Sequence, residues 1–373
     1  MPAFLAERGL EPEQLGLVLA AATVVRLVSG PVAGRLADRF HILRSELAAF
    51  AVLAAGAALL YLAAYGFWAI LAISLLQAAV LAPLIPLPDA LSPAHAQPHP
   101  KEQAFEYGWV LGAGSAAFVA GTLAAGQAVS GYGLSAIIWL SAAALLAVPI
   151  AASLVPAFPL VESRTGEIAH RPWLTLLRQR AFVYVVLVAA LVLGSHAMLD
   201  SFAVIRWTHA GISPAAIGVL WSESVAAEVV VFLFLGPRLL RAVTPAGAMA
   251  VAAFCGVVRW GVLAQTVDVL ALGLVQPLHG FTFALLHLVA MRIIGDTVPR
   301  QLAATAQAVY GLVAVGGATA VLILVSGWLY AHFGAAGFWG MAALCVAAFP
   351  VIWLLHRVLA ASPVVSQQRP CLP

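Results

Sequence analysis

Eleven mainly apolar stretches, each long enough to cross a bilayer as a helix, dominate this chain. A span needs about 20 such residues to cover roughly 30 Å of hydrocarbon. The runs fall at 15–33, 46–65, 67–88, 106–128, 134–155, 181–204, 215–236, 246–266, 269–293, 303–328 and 337–359. They are rich in Ala, Leu, Val and Gly and lack the two-residue alternation of a membrane β-barrel strand. The pattern predicts an all-α, polytopic membrane protein.

Composition closes off the other classes. Only 9% of the 373 residues are charged and 63% are apolar, against about 25% charged in an average soluble domain. A soluble enzyme, a nucleic-acid binder and a disordered chain are thereby excluded. The three cysteines (Cys255, Cys345, Cys371) form no metal or redox spacing, so neither a disulfide framework nor a metal centre nor a cofactor is expected.

The longest polar interruption, 156–180, carries Arg164, Arg171, Arg178 and Arg180 and leaves five spans before it and six after. The predicted organisation is an N-terminal bundle (1–155), a cytoplasmic central loop (156–180), a C-terminal six-helix bundle (181–360) and a cytoplasmic tail (361–373). Basic residues of short loops set orientation. Taking alternate loops from 34–45 onward collects fourteen Lys and Arg on one side, with only Arg8 and Arg206 opposite and Arg26 and Arg259 inside spans. The C-terminus is expected in the cytoplasm and the N-terminus outside. The opening MPAFLAERGLEPEQLG is polar and too short to span, and carries no signal peptide pattern.

Charges within apolar runs are the functional signal. Each costs ~2.5–3.5 kcal/mol at a span centre, and there are six: Arg26, Asp89, Asp200, Glu223, Glu228 and Arg259. Such groups face a bundle interior or a wet cavity, pair, or become protonated. His196 and Asp200, four apart, fall on one helix face with Cβ atoms within ~6 Å; they suit either a proton relay or a helix tether. Glu223 and Glu228 are five apart and so point ~140° from each other; Glu228 shares a stripe with Ser224 and Trp221. Arg259 cannot be neutralised and needs a carboxylate, Glu228 or Asp200, or a substrate anion.

His279 and His287 are too far apart on their helix for one metal ion, and His279 is the stronger functional candidate. The histidines of SPAHAQPHPK (Ser92 to Lys101) lack a second ligand set and read as loop. Asp89 ends PLIPLPDAL, where Pro83, Pro86 and Pro88 break the helix. Glycines 108, 112, 114, 121 and 126 make the fourth span a packing helix.

The hexapeptide Gly34-Arg35-Leu36-Ala37-Asp38-Arg39 after the first span resembles the signature loop of the major facilitator superfamily, carried by Gly34, Leu36, Asp38 and Arg39. The stretches PLIPLPDAL, GSHAMLDSFAVIRW, IGVLWSESVAAEVVVF, FCGVVRWG, LHGFTFALLHLVAMR and QAVYGLVAVGGA are similar to the phenylpropionate permease branch, akin to the lactose permease group. The resemblance implies two pseudo-symmetric bundles of six helices around a mid-membrane substrate cavity. It also implies that this chain lacks the family's first helix, because the signature follows the first span here and the second in the family. Asp89, Asp200, Glu228, Arg259 and His279 fall at positions where the family binds substrate or couples protons. Two departures stand out: Leu111 replaces the arginine of Tyr-Gly-x-x-Arg, and Thr282 replaces the glutamate one turn after the histidine.

The expected activity is secondary active transport by alternating access, with no enzymatic step. Proton-coupled symport of an aromatic carboxylate leads, with Asp89, His196, Asp200, Trp221, Glu228, Arg259 and His279 as the substrate and proton residues. A sugar or nucleoside permease and drug efflux are the alternatives; an intramembrane enzyme and an inactive truncated remnant are the readings from other classes. The expected partners are the small solute, protons and the lipid bilayer, with no nucleic acid. The expected setting is a monomer in a bacterial inner membrane.

Overall fold

The computed structural model describes residues 1–40, 43–84, 107–154 and 172–361, and within them finds helices and no strands. In chain order the helices are α1 (Pro2–Glu7), α2 (Pro12–Phe40), α3 (Leu43–Leu60), α4 (Phe67–Leu81), α5 (Tyr107–Tyr132), α6 (Ala136–Leu154), α7 (Pro172–Arg178) and α8 (Arg180–Gly194). There follow α9 (Ala197–His209), α10 (Pro214–Val230), α11 (Gly236–Ala242), α12 (Pro245–Gln265), α13 (Val269–Val275), α14 (Leu286–Thr297), α15 (Ala303–Tyr310), α16 (Ala318–Phe333) and α17 (Phe338–Ala361).

Local chemistry explains where several of these begin. Proline occupies the first helical position of α2 and α12, where its missing N–H costs nothing. The Thr244 hydroxyl caps α12 by accepting from the Gly247 N–H at 3.1 Å, and Asp268 caps α13 by accepting from Ala271 N–H at 2.9 Å.

Among the described residues nine helical runs are long and apolar enough to cross a membrane. One of them, Ala303–Ala361, has 59 residues, about 88 Å of helix at 1.5 Å per residue. That is two crossings, and Gly334 turns the chain between them with φ +54°. Tyr107–Tyr132 supplies a further helix of 26 residues. The described helices thus lie over all eleven apolar runs expected from the sequence. The protein is an integral membrane protein.

One expectation about local structure is corrected. Gly34, Leu36, Asp38 and Arg39, read as a loop, continue the α2 helix to Phe40. Asp89, the SPAHAQPHPK segment, Cys371 and most of the central loop lie outside the described residues.

The chain forms two compact units. One gathers Met1–Arg164, Ser201–Ser222 and Ile323–Ala331; the other gathers Thr165–Asp200, Glu223–Leu322 and His332–Pro373. In the first, α2 packs on α4, and α3 packs on α6 and α4. Two glycine contacts fasten the later segments to this unit. A Cβ on Gly126 of α5 would lie 2.7 Å from Pro214 O, and one on Gly218 of α10 would lie 2.9 Å from Thr122 O. A Cβ on Gly327 of α16 would lie 2.9 Å from Pro12 O, and one on Gly16 of α2 would lie 3.0 Å from Gly327 Cα. Only the absence of side chains lets these backbones meet. The Thr122 and Ser222 hydroxyls, 2.7 Å apart, close the α5–α10 contact. In the second unit α12 packs on α17, and α17 on α8.

Candidate functional site

The second unit holds a buried polar cluster built from four stretches of chain. Between α8 and α9 the helix is interrupted at Ser195 and His196, and this break frees carbonyls for side chains to use. Ser195 donates to Val192 O at 2.6 Å and accepts from Trp260 Nε1 at 2.8 Å. His196 Nδ1 lies 3.0 Å from Leu193 O, and Nε2 lies 3.0 Å from Thr282 Oγ1. A carbonyl only accepts, so Nδ1 carries the hydrogen. Neutral His196 then receives the Thr282 hydroxyl hydrogen at Nε2. The same hydroxyl has His279 O as a second acceptor at 3.2 Å.

Arg259 enters from α12 and is fully buried. Its Nη1 donates to His279 Nδ1 at 3.1 Å and its Nη2 to Gln276 Oε1 at 3.0 Å. The guanidinium also sits 4.8 Å from the Trp260 ring. Because arginine only donates, His279 must accept at Nδ1, and its hydrogen sits on Nε2. That nitrogen faces Glu228 Oε2 at 3.5 Å. A directed chain results: arginine to imidazole to carboxylate. His279 is stacked on Phe283 at 5.5 Å and meets the His196 ring edge-on at 5.2 Å.

The backbone here is irregular. π-helical segments occupy Val231–Leu235, just after Glu228, and Gly280–Leu285, just after His279. The two press together at Gly280, where a Cβ would lie 2.6 Å from Ala227 O and 2.8 Å from Val231 Cγ2. π-turns inside helices concentrate at functional sites, and these two flank the Glu228–His279 contact.

The structure sorts the sequence candidates. His196, Glu228, Arg259 and His279 converge. The carboxylate expected beside Arg259 is one step removed: His279 stands between it and Glu228, because the imidazole nitrogen fills the guanidinium's line of approach. Neither ring nitrogen of His196 turns to Asp200, since Leu193 O and Thr282 hold both. Asp200 is exposed and within electrostatic reach of Arg259. Glu223 lies against α13, its Oε2 3.7 Å from where a Gly273 Cβ would sit. Trp221 is half-buried on α10, and none of the cluster's hydrogen bonds or ring contacts among the described residues reaches it. His287 faces Tyr310 at 5.9 Å and Phe232 at 6.4 Å.

Gln276, Thr282, Ser195 and Trp260 belong to the cluster without having stood among the site candidates. Their signal was weak: polar or indole side chains adjacent to charged residues inside apolar runs.

The described residues thus define a polytopic, all-helical membrane protein with two compact units and a buried ionisable cluster. Solved structures agree on the fold. A point variant of the nucleoside transporter NupG matches with TM-score 0.83 at 14% identity, covering 95% of this chain and 93% of that one. The structure of NupG itself matches with TM-score 0.78 at 15% identity over 97% and 94%. The probable 3-phenylpropionic acid transporter of Escherichia coli (strain K12) is 35% identical over 370 residues, covering 94% of this chain and 90% of that protein. The MFS_1 like family model matches residues 1–341. The chain belongs to that family, within the major facilitator superfamily, and is a secondary transporter rather than an enzyme.

Proposed function

We propose that this transporter carries an aromatic carboxylate of the 3-phenylpropionate type together with protons, by alternating access. The observation that carries the reading is the contact chain Arg259–His279–Glu228. It sets a half-buried carboxylate at the end of a buried cationic network, so protonation of Glu228 changes the charge of the whole cluster. A carboxylate within a span is costly when ionised and far less so when neutral. Loading the proton therefore favours the closed state through which a transporter must pass. Asp200, near Arg259 and exposed, is the second acid in reach of the same cluster. The 35% identical relative named for 3-phenylpropionic acid supports the substrate class.

Asp89, His196 and Trp221 complete the proposed substrate and proton residues, and Gly34, Leu36, Asp38 and Arg39 the signature segment. The domain scheme of five helices and six, around a central cytoplasmic loop, goes with this reading. So do a cytoplasmic C-terminus, a bacterial inner membrane and a monomeric unit.

Uptake into vesicles, with and without an imposed inward proton gradient, tests the proposal against nucleosides and sugars in parallel. Wild-type protein is expected to concentrate 3-phenylpropionate only with the gradient. Glu228→Gln is expected to reduce that uptake at least ~100-fold, roughly the loss of 2.7 kcal/mol of coupling free energy. Wild-type rates in Glu228→Gln would remove this carboxylate from the mechanism. Uptake of a nucleoside in place of the acid would replace the substrate class.

A further inference from the structure

His287 stands outside the Arg259–His279–Glu228 chain, yet the second unit sets it beside that chain. It follows His279 by eight residues, roughly 12 Å along a helix, and is half-buried. Five residues further on, Arg292 begins the exposed polar end of α14, where it pairs with Asp296. His287 therefore occupies the stretch between the buried cluster and the polar end of the helix. Glu228 is within electrostatic reach of it, the Tyr310 ring of α15 lies 5.9 Å away, and Phe232 closes against it at 6.4 Å. Glu228 and Tyr310 are the titratable groups set against the imidazole. Among the described residues no hydrogen bond, ion pair or ring contact joins it to a charged or titratable side chain of α8 or α12, which also pack on α14.

The polar atoms at this place are uncommitted. Tyr310 is 2% exposed, and its hydroxyl has no hydrogen-bond partner among the described residues. Neither ring nitrogen of His287 has one there either. Buried polar groups ordinarily have their bond, so a phenol and an imidazole side by side and unbonded are a departure that a task explains. The backbone around them is π-helical in three places. Val231–Leu235 follows Glu228, Gly280–Leu285 ends just before His287, and Gly311–Gly317 follows Tyr310. Such turns concentrate at functional sites.

We propose that His287 is a second proton site of this transporter, taking the proton of Glu228 and passing it toward the polar end of α14, with Tyr310 steering the imidazole. The step balances. Neutral Glu228 gives its O–H proton to the free ring nitrogen, leaving a carboxylate and an imidazolium, and the imidazolium then gives a proton to water. The carboxylate so formed is held by His279 and, through it, by Arg259. Tyr310 is a positioning residue: its oxygen accepts from one ring N–H, which turns the lone pair of the other nitrogen to the incoming proton. The assignment deepens the transport reading above and rests on it for the substrate and the coupling ion.

Proton release is required for net uptake and not for exchange, in which the loaded protein swaps one substrate molecule for another without giving up its proton. Proteoliposomes of the full chain separate the two with labelled 3-phenylpropionate: uptake driven by a proton gradient, and exchange against internal unlabelled acid without one. H287Q is expected to lower gradient-driven uptake about 100-fold, the low end for a positioned proton-transfer group, and to exchange as wild type does. Y310F, which removes only the hydroxyl, is expected to lower uptake about 3- to 10-fold, the scale of one neutral hydrogen bond, again with wild-type exchange. Wild-type uptake in H287Q overturns the proposal and leaves the transport reading intact. So does an equal loss of uptake and exchange in H287Q, which marks a structural part. Wild-type uptake in Y310F overturns the role of its hydroxyl. Wild-type protein whose uptake of the acid ignores the proton gradient overturns the transport reading and this site with it.

Discussion

The two arginines set within the apolar spans differ in what surrounds them. Arg259 has no exposed surface, and each Nη nitrogen meets a named acceptor. Arg26 faces a cavity of about 440 Å³ and pairs with no acid among the described residues. Both cost the same to insert on a per-residue scale, ~2.5–3.5 kcal/mol. The first cost is offset inside the protein, by hydrogen bonds and the Trp260 ring face. For the second, no ion pair among the described residues supplies such an offset. The comparison separates an arginine held by its own neighbours from one that lines open space.

The largest effect that would break this contrast is on stability at the wired site. Arg259→Met removes the donor that His279 Nδ1 and Gln276 Oε1 share. A loss of about 2–4 kcal/mol is expected, read as a lower melting midpoint in detergent, together with loss of uptake. An unchanged midpoint would show that the network carries no structural load. Smaller is the effect of Thr282→Val, which removes the hydroxyl between His196 Nε2 and His279 O. About 1–2 kcal/mol is expected, and Thr282→Ser should restore it; a valine variant as stable as wild type would detach His196 from the cluster. The smallest belongs to the surface: Arg292 and Asp296 form an exposed pair four residues apart at 3.8 Å. Arg292→Ala should move the midpoint by no more than the ~0.5 kcal/mol of such pairs, and a larger shift would mean that exposed charges matter here as much as buried ones.

Much of this molecule is legible in its sequence because bilayer thickness imposes a length on every apolar run. All eleven expected runs carry helix in the described residues. The interruptions were harder to read. The break at Ser195–His196 and the π-segments after Glu228 and His279 depend on tertiary packing, such as Gly280 against Ala227 O, and leave no local period. The α2 helix running through Gly34–Arg39 was missed for a related reason: a polar, basic stretch reads as loop, yet Arg, Leu and Ala are good helix formers.

The site was legible in part. Charge inside an apolar run picked out Glu228 and Arg259, and histidine in such a run picked out His196 and His279. Partner choice was not legible. Ser195 and Trp260 are 65 residues apart, and His196 and Thr282 are 86 apart, so no helical spacing connects them. Arg26 was visible as a misfit charge, but the cavity beside it, walled also by Met1 and Leu5, was not.

The most direct measurement of the central claim is proton movement driven by substrate alone. Purified protein in liposomes containing a trapped pH dye, with no other ion gradient, receives external 3-phenylpropionate at a pH where the acid is ionised. The account predicts a protein-dependent acidification of the lumen, above that of protein-free liposomes and absent with Glu228→Gln. Entry of labelled 3-phenylpropionate through the protein with no accompanying change in dye signal would contradict it.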